Sequence, residues 1–285
     1  MEYLIDKDIE SVLEILEMTM EELADELGVS RMSMNNWIKN KSKPSEKHQK
    51  EFYEYVFWKG VRLNKIKEQF YREDYINTGE VLLFHGAKTY IDGGINLEKS
   101  KTINDFGKGF YCGESLEQSA MFVATHPKSS LYMLKFKHGN LKKKVYKVDR
   151  EWMLTIAYFR GRLGEYENSE LVRKIKALNK GIDYIIAPIA DNRMFEILDS
   201  FIDGEITDVQ CRHCLSATNL GNQYVFISQK ALNNVTILER CFLADSEKEL
   251  YLNVRRDGFN MNRDKVKLAR KQFRNQGEYI EDILL

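Results

Sequence analysis

The spacing of apolar residues separates the chain into two regions. In the N-terminal region, about residues 1–70, apolar side chains recur every three or four positions, as at Ile9, Leu13, Leu16 and Met20. Such spacing predicts amphipathic helices. From about Val81 onward, short apolar runs bounded by Gly, Asn, Asp or Lys predict β-strands, with helical stretches between them. The change of pattern near residues 75–80 marks a domain boundary.

Together these elements predict an α+β fold. Strands are expected at Val81–Phe84, Leu131–Phe136, Tyr184–Ile189 and Gln223–Ile227. Helices are expected around Ser115–Ala124, Glu151–Phe159 and Leu171–Leu178, and a basic helix at Asp264–Arg274. A chain of 285 residues favours about two domains. We therefore predict an all-α domain over residues 1–75, an α+β domain over 76–245 and a C-terminal helical extension over 246–285.

Charge is segregated along the chain although the total is neutral, with 43 basic and 43 acidic residues. Residues 1–30 hold ten acidic side chains and one basic side chain, whereas residues 31–70 hold ten basic and four acidic ones. Two further basic stretches follow, Lys135–Arg150 and Arg255–Arg274. The neutral sum therefore does not exclude a polyanionic partner. We expect Lys142–Lys144 to be a solvated hairpin face, or a guide if the substrate is a nucleic acid.

Several features indicate a cytoplasmic protein without metal. No run approaches 18 apolar residues, so no transmembrane helix is expected, and the acidic first ten residues do not resemble an export signal. The four cysteines, Cys112, Cys211, Cys214 and Cys241, lack the spacing of a disulfide framework, which favours a reducing compartment. Cys211 and Cys214 have the CxxC spacing of a zinc site, but no second pair lies at a useful distance, so no metal is predicted.

Residues 21–39 resemble the helix-turn-helix of phage-repressor-like regulators. Gly28 occupies the turn between two short helices, and Ser30 is suited to cap the second one. The residues expected on the outer face of the second helix, suited to base edges and phosphates, are Arg31, Ser33, Asn35, Asn36 and Lys39. The resemblance implies DNA binding as a homodimer, with the acidic preceding helix facing away. The alternative is a helical bundle that contacts protein, with its basic face merely solvated.

Four motifs follow one another in the α+β region. They are His85-Gly86 at the end of a strand, Asp105-Phe-Gly-Lys-Gly-Phe-Tyr111, Ser119 with Phe122 on a helix, and Gln223-Tyr224 on a late strand. In this order they resemble the NAD-binding core of ADP-ribosyltransferases of the diphtheria-toxin and poly(ADP-ribose) polymerase type. The likeness is strongest to a little-studied bacterial branch that also has Pro-Ile-Ala-Asp, here residues 188–191, and it spans about residues 81–240.

The resemblance implies a split antiparallel β-sheet with flanking helices and NAD as substrate. By the family analogy, the rings of Tyr111 and Phe122 sandwich the nicotinamide, because aromatic faces stack favourably. The remaining roles fall to the Gly86 backbone and the Ser119 hydroxyl for the carboxamide, His85 for a ribose hydroxyl, and Gly107 and Gly109 for close backbone approach.

Gln223 departs from the family pattern, which has a glutamate at this position. A glutamine keeps an acceptor oxygen but loses the negative charge and cannot act as a base. We therefore expect transfer of single ADP-ribose units to an unidentified protein or nucleic acid, with Glu196 or Asp191 as alternative sources of a carboxylate. The resemblance implies a toxin–antitoxin or phage-defence role with an antitoxin partner. The alternative is a DNA-binding regulator whose degenerate domain senses NAD or ADP-ribose without catalysis.

Overall fold

The computed structural model describes residues 3–189, 192–217 and 221–285, without the side chains of residues 165, 192, 193, 195 and 259–262. The described strands are β1 Glu80–Ala87, β2 Phe110–Gly113, β3 Ser130–Lys137, β4 Lys143–Val145, β5 Tyr184–Pro188, β6 Asn222–Phe226 and β7 Val235–Cys241. The fold is mixed α/β. The chain divides into two compact units, of which the first comprises residues 1–92, 116–137 and 236–253 and the second comprises the rest.

The described helices agree with the predicted alternation. They are α1 Ile5–Ile15, α2 Met20–Glu26, α3 Arg31–Ile38, α4 Glu46–Trp58, α5 Leu63–Asp74, α6 Leu116–Val123, α7 Arg150–Phe159, α8 Glu170–Leu178, α9 Asn192–Ile202, α10 Asp208–Ser216, α11 Gln229–Leu232, α12 Asp245–Gln272 and α13 Ile280–Leu284. The basic helix expected at residues 264–274 is the end of the longer α12. Ala269 of this segment is buried in the core of the second unit, and Val266 and Phe273, the latter just beyond the end of α12, pack against that core.

The predicted helical nature of the N-terminal region is confirmed, and local capping explains its boundaries. The apolar repeat through Leu16 and Met20 predicts helix at positions where the structure has a break between α1 and α2. At this break Glu17 adopts a left-handed φ of 51°, and Thr19 caps α2. The Thr19 side chain accepts the Glu22 N–H at 3.2 Å while the Glu22 carboxylate accepts the Thr19 N–H at 2.7 Å. This reciprocal capping box fixes where α2 begins.

The first unit contains two apolar clusters. One joins α1 to α5 through buried side chains that include Val12, Leu23, Met34, Trp37 and Phe52. The other lies between α6 and the strands β1 and β3, which pair antiparallel so that His85 stands opposite Tyr132. Within this unit the strand order is β1-β3-β7.

The second unit contains a mixed sheet of strand order β4-β5-β6-β2. Pairs β5–β6 and β6–β2 are antiparallel as predicted, but β4 runs parallel to β5, so the expectation of an antiparallel sheet is wrong there. Helices α7 and α8 lie between Val145 and Tyr184 and supply the crossover that a parallel pair requires. Lys143 and Lys144 therefore lie on a paired strand and not on a hairpin, and Lys144 forms an ion pair with Glu151 at 2.7 Å.

The core of the second unit contains Trp152, Phe201, Ile185 and Val225, all of which are buried. Cys211 and Cys214 are buried in the same core, which explains their spacing as one face of α10. Across the described residues of both units, no helix combines the length and the apolar character that a membrane crossing requires.

Candidate functional site

The second unit brings Tyr111 and Gln223 to one face of its sheet. In the antiparallel pair β2–β6, Tyr111 stands opposite Val225 and Gly113 opposite Gln223. Opposed residues of an antiparallel pair project to the same side, and so do residues two apart on one strand. The two side chains therefore share a face although they lie more than a hundred positions apart in the sequence. Both belong to the set of predicted site residues.

The Tyr111 hydroxyl anchors the loop that precedes its own strand. It donates to the Gly107 carbonyl at 2.7 Å and accepts the Phe106 N–H at 3.1 Å. Burial raises the pKa of Tyr111 well above its ordinary value, and nearby Asp105 adds to the rise. The phenol therefore stays protonated across the physiological range and keeps its donor proton. Two hydrogen bonds therefore tie the Tyr111 side chain to the loop.

Asp105 links Gln223 to a cation in the same unit. One Asp105 oxygen, Oδ1, accepts from Arg160 Nε at 3.2 Å and from Nη2 at 2.7 Å. The other, Oδ2, accepts from Gln223 Nε2 at 3.1 Å, and the same amide nitrogen donates to the Pro188 carbonyl at 3.1 Å. Asp105 and Gln223 are buried, whereas the Arg160 side chain keeps 32% of its surface exposed. The amide of Gln223 is thus oriented by two acceptors.

The two glycines of the loop are required by close packing within the protein. Gly107 has a φ of +74°, and a Cβ there would lie 2.9 Å from the ring of Phe159. At Gly109 a Cβ would lie 2.7 Å from the Val225 side chain. The hydroxyl of Ser100 closes the loop by donating to the Gly109 carbonyl at 2.7 Å. The close neighbours at both positions are protein atoms, so this packing accounts for both glycines, and their predicted approach to NAD stays a prediction.

The first unit carries the other predicted NAD-binding residues. His85 and Gly86 lie at the end of β1, and Ser119 and Phe122 lie on α6, which packs directly on that strand. A Cβ on Gly86 would lie 2.5 Å from the Ser119 carbonyl and 2.9 Å from Val123, so the contact between helix and strand requires glycine. This packing brings the His85-Gly86 motif and the Ser119 motif together.

The side chains of these residues differ in exposure. The Ser119 hydroxyl is buried and donates to the Phe84 carbonyl at 3.3 Å, which leaves its oxygen able to accept a further hydrogen bond. Phe122, one turn further along α6, is 66% exposed. The imidazole of His85 lies 6.4 Å from the ring of Tyr132 on the paired strand. An exposed ring, a histidine and a small hydroxyl thus occur on adjacent elements of this unit.

The helix-turn-helix residues lie in the first unit on α3. Gly28 has a φ of +62° at the turn, and the Ser30 hydroxyl accepts the Ser33 N–H at 3.1 Å, so the predicted turn and N-cap are confirmed. Arg31 and Lys39 are exposed, and Arg31 forms an ion pair with Glu21 of α2. Ser33 uses its hydroxyl in a 2.9 Å hydrogen bond with Ser30, and the remaining face residues, Asn35 and Asn36, are half-buried.

Other predicted candidates fall outside these sets. Within the described residues, no group of three or more His, Cys, Asp or Glu side chains is arranged to hold a metal ion. His213 of the CxxC segment stacks on the ring of Phe273 at 3.5 Å. Glu196 lies on the exposed side of α9, and Asp191 lies outside the described residues.

The sequence alone assigns no role to Asp105 or Arg160. Asp105 lies inside the motif of residues 105–111, and the signal that the sequence offers is its carboxylate, the only one in that motif, two residues before Gly107. Arg160 caps the C-terminus of α7, 55 positions from Asp105, and its local sequence does not distinguish it from Arg162. Arg162 instead pairs with Asp199 and Asp203 at 2.7 Å. Only the tertiary structure separates the two arginines.

Comparison with known proteins identifies one family. No curated protein and no solved structure matches the chain. The model of DUF3990, described as a protein of unknown function, matches residues 81–237, which is more than half of the chain and includes β1, β2, α6 and β6. The chain therefore belongs to the DUF3990 family.

Proposed function

We propose that the protein is an NAD-dependent mono-ADP-ribosyltransferase. The observation that carries the proposal is the hydrogen bond between Gln223 Nε2 and Asp105 Oδ2, which joins two motif segments 118 positions apart. Tyr111, from the same two motifs, shares the sheet face with Gln223. Tyr111 and Gln223, to which the resemblance assigns roles at one substrate, thus lie on one sheet face within the second unit.

The proposed reaction cleaves the bond between the nicotinamide nitrogen and ribose carbon C1′. The electron pair of that bond goes to the pyridinium ring, which leaves as neutral nicotinamide. An acceptor atom gives an electron pair to C1′ and loses its proton to solvent, so the products are ADP-ribosyl acceptor, nicotinamide and a proton. The transition state resembles an oxocarbenium ion, as in glycoside hydrolysis. The protein has to hold NAD in a reactive pose and stabilise positive charge on the ribose.

The resemblance implies roles in this task for residues that are described within each unit by itself. In the second unit, Tyr111 offers a ring held by two hydrogen bonds, and Gln223 offers the acceptor oxygen Oε1. In the first unit, Phe122 offers an exposed ring, while Ser119 and His85 offer polar groups for the carboxamide and a ribose hydroxyl. These roles are those that the resemblance implies.

The lack of a carboxylate at position 223 favours transfer of one ADP-ribose unit over chain building. A glutamine cannot take a proton from a second ribose. We further propose a cytoplasmic bacterial setting in toxin–antitoxin or phage defence. The proposed partners are an antitoxin protein and an acceptor that is protein or nucleic acid.

A second candidate is a DNA-binding regulator that senses NAD or ADP-ribose without catalysis. It is favoured by the turn geometry of the α2–α3 pair, with Gly28 in the left-handed region and Ser30 capping α3. Two exposed cations, Arg31 at the start of α3 and Lys39 directly after its end, are suited to a phosphate backbone. Under this proposal the chain acts as a homodimer on a two-fold symmetric DNA site.

Nicotinamide release separates the two candidates. Purified full-length protein is incubated with NAD and cell extract, and free nicotinamide is quantified. The transferase proposal expects release, and it expects Tyr111→Ala to lower the rate by roughly 100-fold because the ring that positions the substrate is lost. Tyr279→Ala is the matched control, because this tyrosine of the same unit is 42% exposed and lies outside the four motifs. Binding of NAD without release by any extract would favour the sensor.

A further inference from the structure

Gln223 lies beside the buried carboxylate of Asp105. This contact bears on why the chain has a glutamine where the family pattern has a glutamate. Asp105 Oδ2 lies 3.1 Å from Gln223 Nε2, so the atom at that position must be a hydrogen-bond donor. The Pro188 carbonyl, also 3.1 Å from Nε2, imposes the same requirement from a second direction. A glutamate side chain has no donor when ionised and would bring a second negative charge against Asp105.

Arg160 explains why Asp105 can remain in a buried position. It reaches the carboxylate through two nitrogens, Nε and Nη2, both on Oδ1. Charge-assisted contacts of this kind offset the cost of burying a carboxylate. Because Arg160 occupies Oδ1, Oδ2 is directed at the Gln223 amide.

We propose that Asp105 and Arg160 are positioning residues that fix the amide of Gln223 with Oε1 turned toward the substrate. This inference rests on the proposed function, since Oε1 is the atom assigned to the nicotinamide ribose. Asp105 is held by three hydrogen bonds from Arg160 and Gln223 and does not act as a base. The chain thus replaces one charged acceptor by a neutral acceptor whose orientation is set by a buried ion pair.

The backbone that carries Asp105 is fixed by the substrate-facing aromatic residue. The Tyr111 hydroxyl binds both the Gly107 carbonyl and the Phe106 N–H, the two residues that follow Asp105. The position of the ring and the position of the carboxylate are therefore coupled through a short loop. Tyr111→Phe keeps the ring and removes this anchor, and we expect it to disturb Gln223 through Asp105.

Exchange of the acid and the amide tests the proposal. In Asp105→Asn the new amide nitrogen can point toward Gln223. Either the Gln223 amide then rotates so that its Oε1 accepts from this nitrogen and no longer faces the substrate, or two N–H donors face each other. Gln223→Glu opposes two carboxylates. The double variant Asp105→Asn/Gln223→Glu restores a donor facing an acceptor, with the two groups exchanged. The Pro188 carbonyl loses its donor in both variants that carry Gln223→Glu, so its effect cancels when these two are compared.

The expected activities follow from this pairing. Nicotinamide release is measured for the full-length protein and its variants under saturating NAD, and KM is measured separately. We expect Asp105→Asn to lower kcat about tenfold with KM changed less than about threefold, because a misdirected acceptor affects the transition state most. We expect the double variant to be at least about tenfold faster than Gln223→Glu, because adjacent paired residues are strongly non-additive. Asp199→Asn, which alters the exposed Arg162–Asp199 pair, is the matched control and leaves kcat unchanged.

The urea midpoint of unfolding provides a second readout that does not depend on activity. Gln223→Glu is expected to lower the midpoint more in the natural background than in the Asp105→Asn background, because the lost donor to the Pro188 carbonyl is common to both and the opposed carboxylates occur only in the first. If the wild-type protein releases nicotinamide and the losses in kcat and midpoint are additive, the proposed function survives and the positioning role is overturned. If the wild-type protein does not release nicotinamide, whether or not it binds NAD, the proposed function fails and the catalytic part of the inference fails with it, while the unfolding midpoints still test the pairing of Asp105 with Gln223.

Discussion

Two buried ionic networks, one in each unit, use similar groups in different ways. In the first unit Lys67 pairs with Asp8 and lies 2.8 Å from Glu239, and the Tyr53 hydroxyl donates to Asp8 at 2.7 Å. In the second unit Arg160 pairs with Asp105, which accepts from Gln223. The Lys67 side chain is 14% exposed, whereas that of Arg160 is 32% exposed.

The difference in exposure and in hydrogen-bond partners distinguishes a network that stabilises the fold from one that belongs to a candidate site. Burial alone would lower the pKa of Lys67, but the carboxylates of Asp8 and Glu239 outweigh it and hold the pKa above its ordinary value. That network links α1, α5 and β7 and its groups are almost fully covered. The Asp105 network instead orients one amide beside a partly exposed cation. We expect the first network to control stability and the second to control chemistry.

The largest expected effect is on stability in the first unit. Lys67→Met leaves two buried carboxylates without their cation and should lower the free energy of unfolding by about 4 kcal/mol. Urea denaturation followed by circular dichroism measures this loss. Lys65→Met is the matched control, because Lys65 forms partly exposed pairs with Glu68 and Glu117 and should cost less than about 1 kcal/mol. Equal losses for both variants would contradict the contrast between the networks.

Another buried carboxylate, that of Glu247, has neutral hydrogen-bond donors, and its removal should have an intermediate effect. Asn64 Nδ2 lies 3.3 Å from both of its oxygens, and the Tyr251 hydroxyl lies 3.4 Å from one. Burial raises the pKa of Glu247 to about 7. Between the ordinary value of 4.5 and about 7, the unfolded chain loses this proton while the folded protein keeps it, so stability falls as pH rises.

Glu247→Gln removes this contribution. The free energy of unfolding of the variant, relative to the wild-type protein, should rise by about 3 kcal/mol between pH 4.5 and pH 7.5. Denaturation curves at several pH values measure the difference, with exposed Glu249→Gln as the control. A difference that stays constant with pH would show that Glu247 ionises normally in the folded protein.

The smallest expected effect on stability is at the surface of α3. The ion pair of Arg31 with Glu21 joins side chains that are 71% and 55% exposed. Arg31→Ala should therefore shift the melting temperature by less than about 2 °C. If α3 binds DNA, the same variant and Asn35→Ala should weaken a gel shift with the gene's upstream DNA. A large loss of stability would mean that Arg31 supports the fold and would remove its value as a DNA-binding probe.

Local signals in the sequence were sufficient to predict the helix-turn-helix and several strands. Gly28 and Ser30 fix their turn and cap by residue type alone, and the apolar run at Tyr184–Ile189 became β5 with a one-residue error. Strand β4 could not be predicted, because its lysines carry no apolar pattern and its pairing depends on β5 about forty positions later. Helix α12 is far longer than its basic end indicated.

The candidate site could be predicted only in outline. The motifs named Tyr111 and Gln223, and the register of β2 and β6 now puts both on one face. The contact of Gln223 with Asp105 could be seen only in the tertiary structure. The same holds for Arg160, which reaches Asp105 from the end of α7, because the sequence of that helix does not indicate the pair. Ser119 was expected to serve the substrate, and its hydroxyl also bonds to the Phe84 carbonyl at 3.3 Å, a contact that helical spacing does not indicate.

Transfer of label from NAD tests the central claim most directly. Full-length protein is incubated with cell extract and NAD labelled in the adenine, and labelled macromolecules are counted together with released nicotinamide. The proposed function predicts label on an acceptor in step with nicotinamide release, and loss of both in Tyr111→Ala but not in Tyr279→Ala. Recovery of intact NAD, bound to the wild-type protein but neither cleaved nor transferred, would contradict it.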